Sequence, residues 1–493
     1  MILIYNVRKL FIMDFLFSYY QFLENHRGEK MKKMKFRGIV EGFYGKPWTD
    51  EQRLFLIDFM NENDYNLYIY GPKADPYHRS KWRENYPQDE MENFEKLIKK
   101  GSSMGVDVSI AVSPGLSMSY SSEEDFETLL SKFLSFARIG SRTFSLFLDD
   151  IPPELKSNDD LNSYGSIADA QADFTNRLYN RLKAELGDIN FIFCPTHYHG
   201  TSVNSYHTTL GKKVDKNIQI MWTGPEVCSE FIDEKDSQMI SQAYERPVLY
   251  WDNYPVNDAS MVPELHIGPY EGRSPEITKH SAGIVLNPMN QFYANMIPLK
   301  AISYFLKDSE SMSAEKATET AVISLAENCS KAMLDFINAN IKSPIHPEYP
   351  TLPKELEEKY KSLVKEEKMK ESIDILYESG SRILENTSEI KANLDKNILA
   401  DITPWLDEYE LWGKVLTAIA DVKKCNYAFY QTSPFEDHMP DDVIDNAVVA
   451  NSKLEELLTK TVQNKTVSLG QGFMELGMQI LIKSKGLVSL YRY

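Results

Sequence analysis

Eight short apolar segments, each followed by a longer segment with helical spacing, fill the chain from Phe36 to about Phe305. Parallel strands are expected where β-branched and aromatic runs alternate with helices in this way. The predicted strands are 37–41, 65–70, 107–112, 143–148, 190–193, 218–222, 247–251 and 283–286. Predicted helices between them include 49–63, 89–104, 123–137 and 168–186. Eight such units in about 250 residues indicate an α/β fold of the (β/α)8 TIM barrel class.

The last third of the chain has helical spacing almost to its end. Ser313 is predicted to start a helical segment that runs to about residue 339, and a proline-rich stretch follows at 343–353. The Lys- and Glu-rich run 354–370 predicts a solvated helix face. We therefore expect an N-terminal extension at 1–35, a barrel domain at 36–310 and an all-α helical bundle domain at 311–493.

Pro404 is predicted to start another helix, because proline suits the first helical turn. After it, large apolar residues recur at intervals of three and four, which predicts a buried helix face. They are Trp405, Tyr409, Trp412, Leu416 and Ile419.

The net charge and the positions of the cysteines argue against a nucleic-acid-binding protein and against zinc or disulfide sites. The formal net charge is -18, so phosphate would be repelled and no nucleic-acid partner is expected. Cys194, Cys228, Cys329 and Cys425 are widely scattered and form no CxxC spacing. Neither a structural zinc site nor a disulfide framework is therefore predicted.

An apolar stretch near the start resembles a targeting segment only weakly. Residues 10–20 are apolar, but Asp14 interrupts them, no small-residue cleavage pattern follows, and the run is too short to span a bilayer. We expect no stable membrane span and a cytoplasmic location in preference to secretion.

Polar or turn-forming residues follow nearly every predicted strand, and in a barrel these strand ends meet on one face. Asp149 and Asp150 follow the apolar run 143–148 and precede a proline-rich turn, so we expect them at an exposed rim. A helix cap or a polar turn is the alternative. The dipeptides at 159–160 and 441–442 have no such strand before them.

The predicted rim is rich in Asp, Asn, Tyr and Trp, which suits a neutral polyhydroxylated ligand such as a sugar. No glycine-rich phosphate loop occurs at a strand–helix junction. His197 and His199, two residues apart, could face one side and suggest a metal-dependent deacetylase. Because no other candidate ligand cluster accompanies them, no metal site is predicted.

Two adjacent carboxylates constrain the chemistry of such a sugar site. Glycosidases ordinarily place two carboxyl groups on either side of the bond, whereas consecutive side chains of a strand point to opposite faces. The difficulty disappears if the 2-acetamido group of the sugar is itself the nucleophile. One carboxylate then polarises the amide N–H, and its neighbour handles the proton of the leaving group. This predicts a 2-acetamido sugar substrate, with like-charge repulsion and burial raising the pKa of one aspartate.

Six stretches in the barrel region resemble glycoside hydrolase family 84, whose members are O-GlcNAcases and related β-N-acetylglucosaminidases, some called hyaluronidases. They are 40–48 (VEGFYGKPW), 70–79 with 82–84, 113–116, 148–151, 222–225 and 251–258. The resemblance covers about Phe36 to Phe305. It implies a (β/α)8 barrel, hydrolysis of terminal β-linked N-acetylglucosamine (GlcNAc) with retention through an oxazoline, and neither a metal nor an organic cofactor.

The resemblance also implies roles for particular residues. Asp149 resembles the residue that orients and polarises the acetamido group, and Asp150 resembles the general acid/base. The other matched positions would contact the sugar: Gly42 and Lys73 at the ring, Tyr198, Trp251 and Asn253 around the acetamide, and Asp258 and Asn287 at the distal hydroxyls.

The sequence departs from the family pattern at Ala74, which replaces the first of two acidic residues after Lys73, so we expect altered loop packing. The expected partner is a GlcNAc-bearing glycoprotein or glycoside, and the helical domain could support a homodimer. Two other functions stay open: a non-catalytic GlcNAc-binding barrel and a hydrolase of hyaluronan-type polysaccharides.

Overall fold

A closed barrel of parallel strands forms the first part of the protein. The computed structural model describes residues 34–431 and 439–491, and the predicted extension lies outside the described residues apart from its last two. Within this part of the chain eight strands pair in chain order and β8 pairs with β1. The strands are β1 (Phe36–Glu41), β2 (Leu67–Tyr70), β3 (Asp107–Val112), β4 (Thr143–Phe147), β5 (Asn190–Cys194), β6 (Ile218–Trp222), β7 (Leu249–Asp252) and β8 (Gly283–Leu286). The predicted (β/α)8 barrel is confirmed.

Helices connect consecutive strands. The first begins after Thr49 in a capping box: the Thr49 hydroxyl accepts from the Gln52 N–H, and the Gln52 side chain accepts from the Thr49 N–H. The helices of the barrel region are α1 (Asp50–Glu62), α2 (Gln88–Ser103), α3 (Glu123–Arg138), α4 (Asn158–Ser163), α5 (Ile167–Leu186), α6 (Ser205–Lys213), α7 (Glu234–Tyr244), α8 (Glu276–His280) and α9 (Met296–Lys307).

The interior of the barrel is filled by apolar side chains from its strands, so it is a packed core and not a pore. Trp251 and Phe147 lie at its upper end, with ring centroids 5.0 Å apart. Their rings form the floor on which the loops at the carboxyl ends of the strands are built. No helix in the described residues is long and apolar enough to cross a membrane.

The rest of the chain is helical, as predicted. Its helices are α10 (Ala314–Leu325), α11 (Ser330–Ala339), α12 (Leu352–Lys365), α13 (Met369–Asn393), α14 (Lys396–Gln431), α15 (Asp441–Gln463) and α16 (Met474–Tyr491). Ser313 caps α10 as expected, accepting from the Lys316 N–H. The helical segment predicted to run to about residue 339 consists of two helices, α10 and α11. A short 3-10 turn, Glu327–Cys329, separates α10 from α11, where Asn and Ser favour caps over helix interiors.

The predicted helix start at Pro404 is wrong, since this proline lies inside α14. A proline costs the helix one backbone hydrogen bond. Here residues on both sides of it, Ile402 and Trp405, are buried in the helical core, and this packing outweighs the local preference. The apolar stripe that follows Pro404 is buried along its whole length, as predicted.

The run 354–370 is divided between two helices, α12 and α13, instead of forming one. Most of its side chains are exposed, as expected of a solvated face. Leu356 and Tyr360, four residues apart, are the buried exceptions and attach α12 to the helical core.

The helical region is attached to the barrel loops that follow β7 and β8. Asp401 of α14 accepts hydrogen bonds from the backbone N–H groups of Tyr293 (2.6 Å) and Ala294 (3.1 Å). The indole of Trp405 donates to the Pro263 carbonyl at 2.8 Å. One hydrophobic cluster includes residues of both parts. The helices therefore fix two loops at the carboxyl ends of the barrel strands.

Candidate active site

All nine residues singled out from the sequence lie at the carboxyl ends of the barrel strands, distributed over six strands and the loops that follow them. Gly42 follows β1, Lys73 follows β2, Asp149 and Asp150 follow β4, Tyr198 follows β5, Trp251 is the next-to-last residue of β7 with Asn253 and Asp258 after that strand, and Asn287 follows β8. In a barrel these ends converge on one face. The contacts described below join all nine into one cluster.

Lys73 lies between the two aspartates. Its buried ammonium forms an ion pair with Asp149 and lies 3.8 Å from Asp150 Oδ2. The expectation of an exposed rim is wrong for Asp149, which is only 5% exposed. The chain still pairs with β5 just before Asp149, since the Leu148 N–H donates to the Cys194 carbonyl at 2.9 Å, and the Asp149 carboxylate lies against the buried Lys73 ammonium. Asp150 is more open, with its side chain 30% exposed.

Asp150 adopts a left-handed backbone conformation, with φ of 53°. Non-glycine residues rarely do so, although Asp and Asn tolerate it best. The turn directs its carboxylate toward two phenolic donors: Tyr198 donates to Oδ1 at 2.9 Å, and Tyr44 donates to Oδ2 at 2.8 Å. The strained residue is thus held at both oxygens.

The pKa of Asp150 is shifted downward, whereas the sequence predicts an upward shift of the pKa of one aspartate. Burial raises the pKa of this carboxyl, but the Lys73 ammonium and the hydrogen bonds from Tyr44 and Tyr198 outweigh burial. The net effect holds the pKa of Asp150 below its ordinary value. The sequence predicts like-charge repulsion between the aspartates, but it does not predict the Lys73 cation between them.

A second group of contacts joins the tryptophan to two amides. Trp251 Nε1 donates to Asn253 Oδ1 at 2.9 Å, and Asn287 Nδ2 donates to the same oxygen at 2.9 Å. Asn287 Oδ1 accepts from the Gly42 N–H at 3.3 Å. The Lys73 ammonium lies 5.7 Å from the centre of the Trp251 ring. This chain of contacts links the amide side of the site to the carboxylate side.

Asp258 joins the cluster through Tyr44, which sequence reasoning did not select. The Tyr44 N–H donates to Asp258 Oδ2 at 2.7 Å, while its hydroxyl reaches Asp150. Arg79 was also missed. It donates to the Tyr44 hydroxyl at 3.2 Å and to the Asp150 carbonyl at 3.4 Å. Both residues occur in the quoted motifs, but only the fold reveals that they meet at Asp150.

Two buried acidic residues anchor the strand ends under the site. Glu41, the last residue of β1, receives two hydrogen bonds from Arg53 at 2.9 Å. Asp252, the last residue of β7, receives two from Arg273 at 2.8 and 2.7 Å. Such bidentate pairs fix geometry as well as charge. They hold the backbone immediately before Gly42 and Asn253.

Gly42 is constrained by its contact with the tryptophan. A Cβ built at this position would lie 2.4 Å from Trp251 Cζ2. Gly42→Ala is therefore expected to lower the free energy of unfolding by about 1–3 kcal/mol through overpacking, measured by denaturant titration.

Gly486→Ala is the control for that substitution. Gly486 is exposed inside α16, and a Cβ there meets nothing within 4 Å. Alanine should raise the free energy of unfolding by roughly 0.5–1 kcal/mol, because it is the better helix former. Equal effects of the two substitutions would contradict the close approach of Trp251.

The histidines considered as metal ligands have other neighbours. The ring of His197 stacks on Tyr206, with centroids 4.2 Å apart, and His199 packs against the edge of Tyr198. Over residues 34–431 and 439–491, no group of three or more His, Cys, Asp and Glu side chains could hold a metal ion.

One oxygen of the site is unsatisfied. Asp149 Oδ1 is buried and has no hydrogen-bond partner among the described residues, while Oδ2 is paired with Lys73. Buried carboxylate oxygens are rarely left without a donor. The arrangement can therefore accept an N–H or O–H from a ligand at Asp149, with Asp150 and its two tyrosines beside it.

Comparisons with known proteins reveal similarities in sequence and in structure. The family model described as beta-N-acetylglucosaminidase matches residues 37–338. The curated Protein O-GlcNAcase of Rattus norvegicus is 35% identical over 278 residues, which are 55% of this chain and 30% of that protein. The Mus musculus protein of the same name gives the same values. The match thus spans less than a third of these proteins' length.

Two solved structures are similar over most of the chain. A mutant of Thermobaculum terrenum O-GlcNAc hydrolase has a TM-score of 0.86 at 35% identity, covering 92% of this chain and 95% of that one. A structure named CpGH84B has a TM-score of 0.74 at 25% identity, covering 92% and 77%. Because 92% of the chain is covered, the first similarity includes most of the helical region as well as the barrel.

Proposed function

Because the chain belongs to the beta-N-acetylglucosaminidase family, glycoside hydrolase family 84, we propose that it removes terminal β-linked GlcNAc by substrate-assisted catalysis. The proposed substrate is GlcNAc attached to Ser or Thr of a glycoprotein, or a related glycoside. The reaction would retain the anomeric configuration and proceed through an oxazoline.

The observation that carries this proposal is the unsatisfied Oδ1 of Asp149. A sugar hydroxyl would suit an exposed acceptor, but a buried acceptor next to a fixed cation suits an amide N–H held in one direction. An acetamido group donates through its nitrogen and attacks through its oxygen. A carboxylate that accepts the N–H therefore increases electron density on the attacking oxygen, as general base catalysis requires.

In the first step the acetamido oxygen attacks the anomeric carbon, and the bond from this carbon to the leaving oxygen breaks. Asp150 gives a proton to the leaving oxygen, while Asp149 stabilises and then accepts the amide proton, which yields a neutral oxazoline. The Lys73 ammonium pairs with Asp149 and lies 3.8 Å from Asp150 Oδ2, so its positive charge faces both carboxylates during this step.

In the second step water attacks the anomeric carbon of the oxazoline from the side that the leaving group vacated. Asp150, now a carboxylate, takes a proton from the water, and the ring nitrogen recovers its proton from Asp149. Two inversions at the same carbon give net retention, and both aspartates return to their starting states.

The remaining residues would bind the sugar. Trp251 provides an aromatic floor, and Tyr198 and Asn253 line the acetamide pocket. Asp258 and Asn287 would accept and donate to the distal hydroxyls, while Gly42 allows the backbone to approach the ring. The link from Trp251 through Asn253 to Asn287 supports this assignment, because it fixes their relative positions before substrate arrives.

Asp150 must be protonated to act as an acid, yet its pKa is low in the free site. We infer that the bound sugar raises the pKa of Asp150. It excludes water from the carboxyl, and burial is already the largest single influence on the pKa of Asp150. The two tyrosine hydroxyls oppose protonation and therefore set how far the pKa must rise.

Tyr44→Phe tests this balance. Loss of the hydroxyl removes a hydrogen bond to the charged form of Asp150, so the pKa of Asp150 rises. The alkaline limb of the kcat/KM profile against pH should move to higher pH. Tyr164→Phe is the matched control, because its hydroxyl donates to Asp173, at 2.9 Å, outside the site. If the alkaline limb of the Tyr44→Phe profile stays at the wild-type pH or moves to lower pH, the acid role of Asp150 is contradicted.

The test of the proposed function is hydrolysis of 4-methylumbelliferyl β-GlcNAc, compared with the glucoside in which a hydroxyl replaces the N-acetyl group. We expect release of the fluorophore from the GlcNAc compound, none measurable from the glucoside, and competitive inhibition by a thiazoline that mimics the oxazoline. Equal hydrolysis of the two glycosides contradicts neighbouring-group participation.

The rival functions give different outcomes. Binding of GlcNAc without turnover indicates a non-catalytic barrel module. Faster cleavage of hyaluronan than of a GlcNAc-modified peptide indicates a polysaccharide hydrolase. Acetate release that a chelator abolishes indicates a deacetylase acting through His197 and His199.

The proposal extends to cellular context. We place the protein in the cytoplasm, because Cys194, Cys228, Cys329 and Cys425 are all free thiols, as is usual in a reducing compartment. The division into a catalytic barrel domain at 36–310 and a helical bundle domain at 311–493 is kept, and a homodimer formed through the helices stays a prediction.

A further inference from the structure

The loop between β2 and α2 carries two of the side chains that reach the aspartates. It spans residues 71–87 and includes Lys73, which contacts both carboxylates, and Arg79, which contacts the Asp150 carbonyl. A loop of this length needs internal supports to hold a side chain in one place. The support beneath it comes from the next helix, α3.

Lys132 projects from α3 into the underside of this loop. Its ammonium donates to the carbonyl oxygens of Tyr77 at 2.7 Å, Trp82 at 2.9 Å and Glu84 at 2.7 Å. A lysine ammonium has three N–H donors. All three are therefore used on backbone of one loop, and the residue as a whole is 2% exposed.

The charge of Lys132 is compensated without a direct ion pair. Its ammonium lies 4.8 Å from the centre of the Tyr86 ring and 6.0 Å from that of Tyr77. No carboxylate in the described part of the chain lies within ion-pair distance, although Asp75 and Glu84 attract it from farther away. Burying a charge in this way is costly. An apolar side chain would fill the space at lower cost but would leave three carbonyls without donors.

A rigid path connects these carbonyls to Lys73. Asp75 accepts from the Tyr77 N–H at 2.8 Å and from the Tyr86 hydroxyl at 2.7 Å, which ties the middle and end of the loop together. It also accepts from the Tyr70 hydroxyl at 2.8 Å, at the end of β2. Lys73 lies between Tyr70 and Asp75 in the chain, so we expect a shift of the segment 77–84 to displace the Lys73 ammonium.

We propose that Lys132 is a positioning residue for the reaction, whose three hydrogen bonds hold the 71–87 loop so that Lys73 stays between Asp149 and Asp150. This inference rests on the proposed function only where activity is the readout. The clamp itself is a property of the fold.

The proton on Lys132 makes the clamp sensitive to pH. Burial lowers the pKa of Lys132 to about 8, against the opposing attraction of Asp75 and Glu84. Burial raises the pKa of Tyr86 well above its ordinary value, so this neighbour stays neutral in the same range. Above about pH 8 the neutral amine has two N–H groups for three carbonyls, so one carbonyl loses its donor and the loop loosens.

Although the loop loosens as Lys132 loses its proton, the contribution of Lys132 to overall stability changes in the opposite direction. Because folding lowers the pKa of Lys132 from 10.5, the folded protein binds this proton less tightly than the unfolded chain. The contribution of Lys132 to the free energy of unfolding therefore rises, and does not fall, as pH increases through about 8. Loosening of the loop and loss of global stability are thus separable.

Two substitutions test the clamp through activity on the aryl GlcNAc glycoside. Lys132→Met keeps the volume but removes the donors, and should lower kcat by about 10- to 100-fold with little change in KM, because the misplaced Lys73 affects the reaction more than binding. Lys132→Arg keeps charge and donors above pH 8, so it should recover part of kcat and extend activity to higher pH.

Lys99→Met is the matched control on α2, where the lysine is exposed and pairs with Glu95. It should leave kcat unchanged. Wild-type kcat in Lys132→Met, or a change confined to KM, overturns the proposal.

Hydrogen exchange on the unmodified protein decides the matter if a variant fails to fold or if Lys132→Arg does not recover. Amides of 77–84, corrected for intrinsic rate, should exchange faster at about pH 9 than at about pH 7. The loop 119–122, whose backbone is held by the Asp160 carboxylate, should not change. Equal protection of 77–84 at both pH values overturns the clamp. If no GlcNAc glycoside is hydrolysed at all, the proposed function fails, while this measurement still tests Lys132.

Discussion

Asp150→Asn is expected to lower kcat/KM by about 10²–10⁴-fold for GlcNAc glycosides with poor leaving groups, such as a GlcNAc-modified serine peptide. The loss should be much smaller for an activated aryl glycoside. A leaving oxygen of high pKa departs only when it receives a proton, whereas a phenolate of low pKa departs almost unassisted. The ratio of the two losses measures proton donation by Asp150.

Asparagine is a suitable probe at this position. It accepts the left-handed conformation that Asp150 adopts, and it keeps the volume of the side chain, so the fold should be unchanged. The measurement is a series of aryl GlcNAc glycosides of graded leaving-group pKa, assayed with wild type and variant. A steep dependence should appear only in the variant.

Asp159→Asn controls for the loss of one acidic residue, since Asp159 belongs to a second Asp-Asp pair and is exposed in the first turn of α4. It should leave kcat/KM unchanged. Equal losses with poor and activated leaving groups in Asp150→Asn are incompatible with its role as the acid.

The barrel could be predicted from sequence because its signal is local and repeated. Three strands have the predicted bounds, and the differences elsewhere are small: β2 begins at Leu67 although the apolar run begins at Tyr65. Apolar residues before a strand can be buried without pairing to a neighbouring strand. An apolar run therefore predicts burial but not the residue at which strand pairing begins. The convergence of the site residues followed from topology alone, since parallel strands present all their carboxyl ends on one face.

The errors arose where tertiary contacts outweigh local preference. Pro404 predicts a helix start because proline suits that position, but α14 continues through it because the residues around it are packed in the helical core. The apolar run predicts Asp149 at an exposed rim, whereas its burial depends on contacts with other barrel loops, such as that of Lys73, which no local pattern specifies.

Electrostatics was the least predictable feature of the site. Adjacent aspartates suggested mutual repulsion, yet the Lys73 ammonium lies against both. The hydroxyls of Tyr44 and Tyr198 then reach Asp150 from the loops after β1 and β5. The sign of the pKa shift of Asp150 therefore depends on side chains distant in sequence, and only their assembled positions determine it.

Asp149→Asn should lower kcat/KM by about 10²–10³-fold for every GlcNAc glycoside, whatever its leaving group, because it removes charge stabilisation of the acetamido nitrogen and not proton donation. This uniform loss distinguishes it from Asp150→Asn. The substitution also leaves Lys73 without its nearest carboxylate, so the unfolding free energy of the variant must be compared with that of wild type.

Inhibitor binding separates the role of Asp149 in catalysis from a general disturbance of the site. A thiazoline mimic of the oxazoline has a ring nitrogen that faces Asp149 in the proposed geometry, so its affinity should fall together with kcat/KM. The affinity for a simple glucose-type inhibitor without that nitrogen should change little, since its contacts would come from Asp258, Asn287 and Trp251. If both inhibitors weaken equally, Asp149 acts by shaping the site and the acetamido group is not its partner. If neither weakens while activity falls, the charge of Asp149 serves a step other than ring closure.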